Sequence, residues 1–422
     1  MKRAIFSIVL LACAAGSLIS CGGGSSSSSS TTTSGVKKRA FVSNAFMGSV
    51  DIIDYTKDLQ SGSSIALGTS PEEMALSKDH TLTLVVDSGT NNVSVVTNAS
   101  ETVTATFSLP NWTKSLAISP DSKVAWAAVR NSAVANAQTG TVEVMDLTTT
   151  GTLGTAVPVP LARYLFLNHA GTTMIALGDP VTPVATPLTV LDVSTPLTPV
   201  VKTTLPAGTN LDRPAWVVFS SDDSKAYIVN CGPECGGSQA SVSVLDMASG
   251  QITANYAGDG THPFAGSVAA MDSSNTLYVA GTPPGYVGTD GVSRGLLWAL
   301  STSGGALALS KGPVEIGDGF HTTATLASDN KLFVGANPCS NLTTTGGPAQ
   351  GCLTIYDTGS GSAVVGQAKG FVTGMDPVPG RNVVYVIEGG ELVIYDTTTS
   401  AVFTQRSIDI FGQAYDVKII DQ

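Results

Sequence analysis

Beyond residue 38 the hydrophobic positions fall into short blocks, alternating with polar residues or rich in Val, Ile and Leu, and most blocks end in a Gly, Ser, Asp or Asn turn. That is a strand's periodicity, because successive side chains on a strand point to opposite faces. One block recurs with a fixed ending: residues 50–54, 142–146, 188–192, 242–246, 353–357 and 392–396 close on Asp54, Asp146, Asp192, Asp246, Asp357 and Asp396. Weaker copies at 93–97 and 296–301 raise the number to eight. Ahead of most copies lie an apolar strand and a tight Ser/Asp/Lys turn, as in Leu116-Ala117-Ile118-Ser119-Pro120-Asp121-Ser122-Lys123. A shorter strand precedes each of these, such as 102–109 or 200–205. Four strands in a unit of roughly 40–56 residues predict an all-β fold, a β-propeller of eight blades, or seven if a weak copy such as the second is an excursion.

The two ends of this region predict how the ring closes. Strands at 40–43 and 50–54 open it, and strands at 402–410 and 414–420 end it without a following hairpin. Pairing them makes one composite blade, two strands from each end, which removes the open edges of the sheet. Pro71-Glu72-Glu73-Met74-Ala75-Leu76-Ser77-Lys78-Asp79, Ser119-Pro120-Asp121 and Ala226-Tyr227-Ile228-Val229-Asn230 resemble the YVTN-type propeller repeat. That family includes bacterial surface-layer proteins and lactonase-like propellers. The resemblance spans 39–422 and implies a fold, since its motifs are turns and core strands rather than reactive groups.

Composition fits this picture. The 422 residues include 45 Gly and 21 Pro, with 42% hydrophobic and 13% charged side chains, and Val, Thr, Ser and Gly prevail over helix formers. A net charge of −11 argues against nucleic acid as a partner. Ahead of the strands, residues 1–20 read as a signal peptide: Lys2 and Arg3, an apolar run, then small residues. Leu18-Ile19-Ser20-Cys21 resembles the bacterial lipobox, which implies a lipidated Cys21. Residues 22–35 are almost wholly Gly, Ser and Thr, so 21–38 is expected to be a flexible tether between the lipid and the body. The expected address is outside the cytoplasm, anchored to the outer membrane and facing the periplasm or the cell surface.

Four cysteines remain in the body. Cys231 and Cys235 bracket Gly-Pro-Glu, and Cys339 and Cys352 bracket a Gly/Thr-rich insertion. Each pair sits in one loop between strands, and neither has the spacing of a zinc knuckle, so disulfides 231–235 and 339–352 are expected in an oxidising compartment.

The chain lacks a haem-attachment motif, a His-Glu-x-x-His helix and a phosphate-cradling loop. Two near copies, Gly258-Asp259-Gly260-Thr261-His262 and Gly317-Asp318-Gly319-Phe320-His321, fall in loops between the first and second strands of their units. Loops of neighbouring units carry Glu72, Lys114, Arg163 and Arg213. A channel mouth ringed by Lys114, Arg163, Arg213, His262 and His321 would hold an anion, and Asp259 and Asp318 could complement it around a divalent cation. No other cofactor is expected. The long insertions lie between third and fourth strands, which share a face with these loops, so one loop-rich face is the expected working surface. Trp112, Trp216 and Tyr286 are its aromatic candidates. Together these features predict a non-catalytic binding or scaffold protein of the cell envelope, taking a protein, a glycan or a small anion. The alternative is a lactonase-like hydrolase using His262 or His321 as general base, with Arg163 and Arg213 steadying the oxyanion.

Overall fold

The recurrent aspartates mark turns. In a computed structural model, Asp54, Asp146, Asp192 and Asp396 each accept a hydrogen bond from the backbone N–H and hydroxyl of the Thr or Ser two residues on. These Asx turns reverse the chain from the third strand of a blade into the fourth. A second recurrent turn joins first and second strands: Ser77, Ser119 and Ser220 donate to Asp79, Asp121 and Asp222 at 2.7, 2.6 and 2.7 Å. The structure describes residues 33–130, 139–181, 187–208, 210–289, 291–303, 306–340, 351–365, 370–398 and 405–422. The signal peptide, Cys21, the first part of the tether and much of the insertions lie outside them. Among the described residues no helix is long and apolar enough to cross a membrane.

Eight four-stranded antiparallel sheets form the body. Seven are consecutive in sequence, from Pro71–Leu76 through Thr102–Ser108 (blade 2) to Val372–Pro377 through Gln405–Ile408 (blade 8). The eighth, blade 1, is composite, as expected, but its division differs. It takes Arg39–Asn44, Ser49–Asp54 and Leu59–Ala66 from one end and Ala414–Ile419 alone from the other. The segments at 102–109 and 200–205 are the outermost strands of the preceding blades, not the first strands of the following ones. That shift by one strand turns an expected two-plus-two closure into three-plus-one.

Burial explains the different legibility of the strands. Middle strands are covered on both faces by adjacent blades, so Leu82–Asp87 and Val124–Arg130 read as nearly continuous apolar runs. Outer strands such as Gln251–Tyr256 alternate between exposed and half-buried positions and carry little signal. Clusters shared between neighbouring blades, with Trp126 in one and Trp298 and Tyr227 in another, make up the core.

The loops entering first strands and those joining second to third strands meet on one face. Backbone bonds tie them together, from Ser88 N–H to Ser70 O (3.0 Å), Gly232 N–H to Asp212 O (3.1 Å) and Phe320 N–H to Pro338 O (2.9 Å). Both disulfides form there, Cys231–Cys235 and Cys339–Cys352. The Asx turns occupy the opposite face. On that side Ser34 donates from its N–H and hydroxyl to Glu101, at 2.5 and 2.6 Å, so the chain joins the body away from the loop-rich face.

Candidate functional site

Inner strands break register where they begin. Opposite the second strand of the same blade, extra residues are inserted at Glu72–Glu73, Lys114–Ser115, Arg163, Ala215, Thr322, Thr373 and Tyr415–Asp416. A bulge of this kind re-aims side chains that would otherwise alternate. Seven of the thirteen residues lining the central cavity come from these breaks: Glu73, Lys114, Ser115, Arg163, Thr322, Thr373 and Tyr415. The remainder are Tyr164, Leu165, Phe166, Trp216, Phe320 and Asn337. The cavity measures about 360 Å³ and mixes the charged side chains of Glu73, Lys114 and Arg163 with the aromatic rings of Tyr164, Phe166, Trp216, Phe320 and Tyr415.

Lys114 Nζ lies 3.6 Å from Glu73 Oε1, and the Tyr415 hydroxyl bridges the pair, 3.5 Å from the ammonium and 3.3 Å from the carboxylate. Burial pushes the Glu73 carboxyl up, against the pull of Lys114. Arg163 lies beside them with its guanidinium 4.0 Å from the Trp112 ring centroid, close enough for a cation–π contact. Lys114 reaches the same ring at 5.7 Å. Among the described residues, Arg163 Nε and Glu73 Oε2 are buried without a hydrogen-bond partner.

Of the seven residues expected at the channel mouth, Lys114 and Arg163 come together in this cavity. His321 lines a smaller adjoining cavity of about 30 Å³, shared with Tyr164, Trp216, Phe320 and Thr322. It is buried, its Nε2 sits 3.1 Å from Gly317 O, and desolvation lowers its pKa to about 4, so it is a neutral imidazole. His262 stands apart from both cavities: its Nδ1 pairs with Asp259 at 3.1 Å, and its ring lies edge-on to Trp298, on the third strand of blade 6. Asp259 accepts backbone bonds from His262 and Thr261, which lower its pKa to about 2. Asp318 is buried and accepts from the Ser340 N–H and hydroxyl. Among the described residues, no group of three or more His, Cys, Asp or Glu side chains is placed to hold a metal ion. Arg213 precedes its inner strand at φ +64°, packs beside Gly237 and lines neither cavity.

Glu73, Tyr415 and Phe320 complete the cavity, and the sequence does not single them out. Counting along the repeats selects Glu72, which instead accepts a hydrogen bond from Ser88 Oγ at 2.6 Å. Tyr415 escapes because its strand does not read as an inner one, although it is the second residue of that strand, as Lys114 and Arg163 are of theirs. Phe320 is fixed from both sides. It packs against the Cys231–Cys235 cluster, and its backbone pairs with Asn337 and Pro338 ahead of Cys339. Gly319 (φ +110°) must be glycine there, since a Cβ would overlap Pro338 O and the Cys339 side chain.

No protein-family model matches the sequence, and no curated protein matches it. Solved structures do match in shape. Hydrazine synthase of Kuenenia stuttgartiensis aligns with a TM-score of 0.51 at 14% identity, over 85% of this chain and 92% of that one. A functionally unknown protein from Desulfotomaculum acetoxidans gives 0.54 at 13%, over 79% and 96%. Dihydro-heme d1 dehydrogenase NirN, in complex with DHE, gives 0.62 at 13%, over 90% and 75%. At such identities the likeness is one of fold, and this chain shares with them the β-propeller architecture.

Proposed function

We propose that this chain is a non-catalytic binding protein of the cell envelope that holds a small organic anion with an aromatic or aliphatic body in its central cavity. The observation that carries the reading is Arg163 held against Trp112 beside Lys114, two cations facing one aromatic-walled cavity in a chain of net charge −11. Carboxylates are met by the paired N–H groups of a guanidinium, and ring faces by Trp216 and Phe320. A cavity of about 360 Å³ lies within the usual range for small-ligand sites. Calorimetric titration with phenylacetate and indole-3-acetate tests this. Binding that falls at least about tenfold in both Arg163→Ala and Lys114→Met supports it, and wild-type protein that takes up neither acid rejects it.

The address belongs to the same proposal. Cys21 in its lipobox-like setting, the Gly/Ser/Thr stretch after it and two disulfides favour a lipid-anchored, exported protein, and the YVTN-like turns favour that propeller family. Loss of detergent-phase partitioning in Cys21→Ala is the corresponding test. The lactonase-like alternative gains nothing from the site, because His321 is buried and His262 lies outside the cavity.

A further inference from the structure

We propose that Glu73 is the resident counter-ion of the anion site, displaced from Lys114 by an entering anion and left carrying a proton drawn from water. This inference rests on reading the central cavity as an anion site. Its geometric basis is that the Lys114 ammonium is already engaged, 3.6 Å from Glu73 Oε1, with the Tyr415 hydroxyl set between the two. A carboxylate ligand that reaches Lys114 therefore competes with a carboxylate supplied by the protein.

The surroundings of Glu73 determine which of the two carboxylates gives up its charge. Lys114 approaches from blade 3 and Tyr164 from blade 4, while the closing strand contributes Tyr415, Asp416 and Lys418, and Glu72 adjoins in sequence. Glu72 and Asp416 both oppose a negative charge on Glu73. Lys418 is committed to Asp416 at 2.9 Å. Lys114 is thus the cation on which the Glu73 charge depends. Glu73 Oε2, buried without a hydrogen-bond partner among the described residues, leaves the anionic form poorly solvated. The Glu73 and Lys114 side chains are only partly buried, at 27% and 32% exposure, yet two carboxylates brought to one ammonium beside a buried Oε2 favour the neutral form of one of them. The ligand keeps its charge because Arg163 provides a second cation, so Glu73 takes the proton. Water supplies that proton through the cavity, and no covalent bond forms or breaks between ligand and protein. Affinity then rises as the solution becomes more acidic, down to the point where the ligand itself is protonated.

Calorimetry with phenylacetate decides the matter, run in bis-tris and in imidazole, cationic buffers of different ionisation heat, between about pH 5.5 and 7.5. Wild-type protein is expected to take up protons on binding phenylacetate, fewer than one per ligand where burial already leaves part of Glu73 protonated, and its affinity to fall as the pH rises through the window. Glu73→Gln is expected to bind without proton uptake and at least about tenfold more tightly than wild type at the upper end. Binding by wild type with no proton uptake overturns the proposal, as does uptake that persists in Glu73→Gln. Either result leaves the anion site standing as long as Arg163→Ala and Lys114→Met still lose the ligand. Absence of binding to wild type removes the site and its counter-ion together. Should Glu73→Gln fail to fold, Glu73→Ala takes its place in the same two-buffer comparison.

Discussion

Arg163, on the inner strand of blade 4, rests its guanidinium 4.0 Å from the ring centroid of Trp112, a residue of the loop that leads into blade 3. The contact spans two blades and fixes a cation that, among the described residues, forms no ion pair with a carboxylate, unlike Lys114, Arg130 or Arg381. Such contacts contribute about 0.5–2 kcal/mol. Trp112→Leu should therefore weaken phenylacetate binding by about 2- to 30-fold, with little change in thermal stability because Trp112 is 37% exposed. Calorimetry alongside a thermal melt separates the two effects.

Phe320 links the cavity wall to both disulfides, packing on Cys231–Cys235 and bonded through its backbone to the segment that leads into Cys339–Cys352. Opening the 339–352 ring, with a sequence separation of 13, removes a constraint of about 3 kcal/mol. Cys339→Ser with Cys352→Ser should lower the Tm by several degrees and weaken ligand binding. An unchanged affinity in the folded double variant would mean that Phe320 is held without the disulfide.

Glu234 sits between those features, accepting the Thr282 backbone N–H and approached by Ser267 Oγ at 3.5 Å, with Oε2 buried and unpartnered among the described residues. Burial pushes its pKa up to about 8. The folded protein therefore keeps a proton that the unfolded chain releases near pH 4.3. Stability from this group is complete below that pH, declines as pH rises, and levels off above pH 8, with a slope of up to about 1.4 kcal/mol per pH unit. Glu234→Gln should flatten this dependence and exceed wild type in stability above pH 8. Urea denaturation at several pH values reads it directly.

At the seam of the ring, Arg39 donates from Nε and Nη2 to both oxygens of Asp421, at 2.8 and 2.9 Å, and from Nη1 to Glu101 at 3.0 Å. The Glu101 side chain is only 6% exposed, so removing the guanidinium leaves a buried carboxylate without its ion partner, held by the Ser34 N–H and hydroxyl alone. Arg39→Ala should cost about 2–4 kcal/mol, since Asp421 remains partly solvated. Arg39→Lys should recover less than half of that, because an ammonium cannot reproduce the two-pronged contact. Equilibrium denaturation of the three proteins tests the order.

The fold is legible where chemistry repeats: Asp54, Asp146 and their counterparts cap turns, and buried strands such as Val124–Arg130 are apolar up to their last residue. The outermost strands have neither signature, so reading the sequence attaches them to the wrong blade, and the error in the closing division comes from that. Lys114 and Arg163 are legible because charges stand out at the start of an apolar strand. Glu73 is not, since a bulge gives Glu72 and Glu73 different partners and nothing in the sequence announces which faces the channel. His262 looks like a channel residue because its motif matches that of His321, yet their loops fold differently: one pairs with Asp259 on the surface, the other is enclosed.

The three-plus-one seam makes closure of the ring a long-range event. Blades 2 to 8 are each built from strands that follow one another in sequence, whereas Arg39–Asn44 has its inner edge covered by Ala414–Ile419. Until that strand docks, the first blade is open, with Phe41 and Val42 on its bare edge. An edge of this kind is a template for pairing with another chain, so the seam is the place where incomplete folding would lead to association.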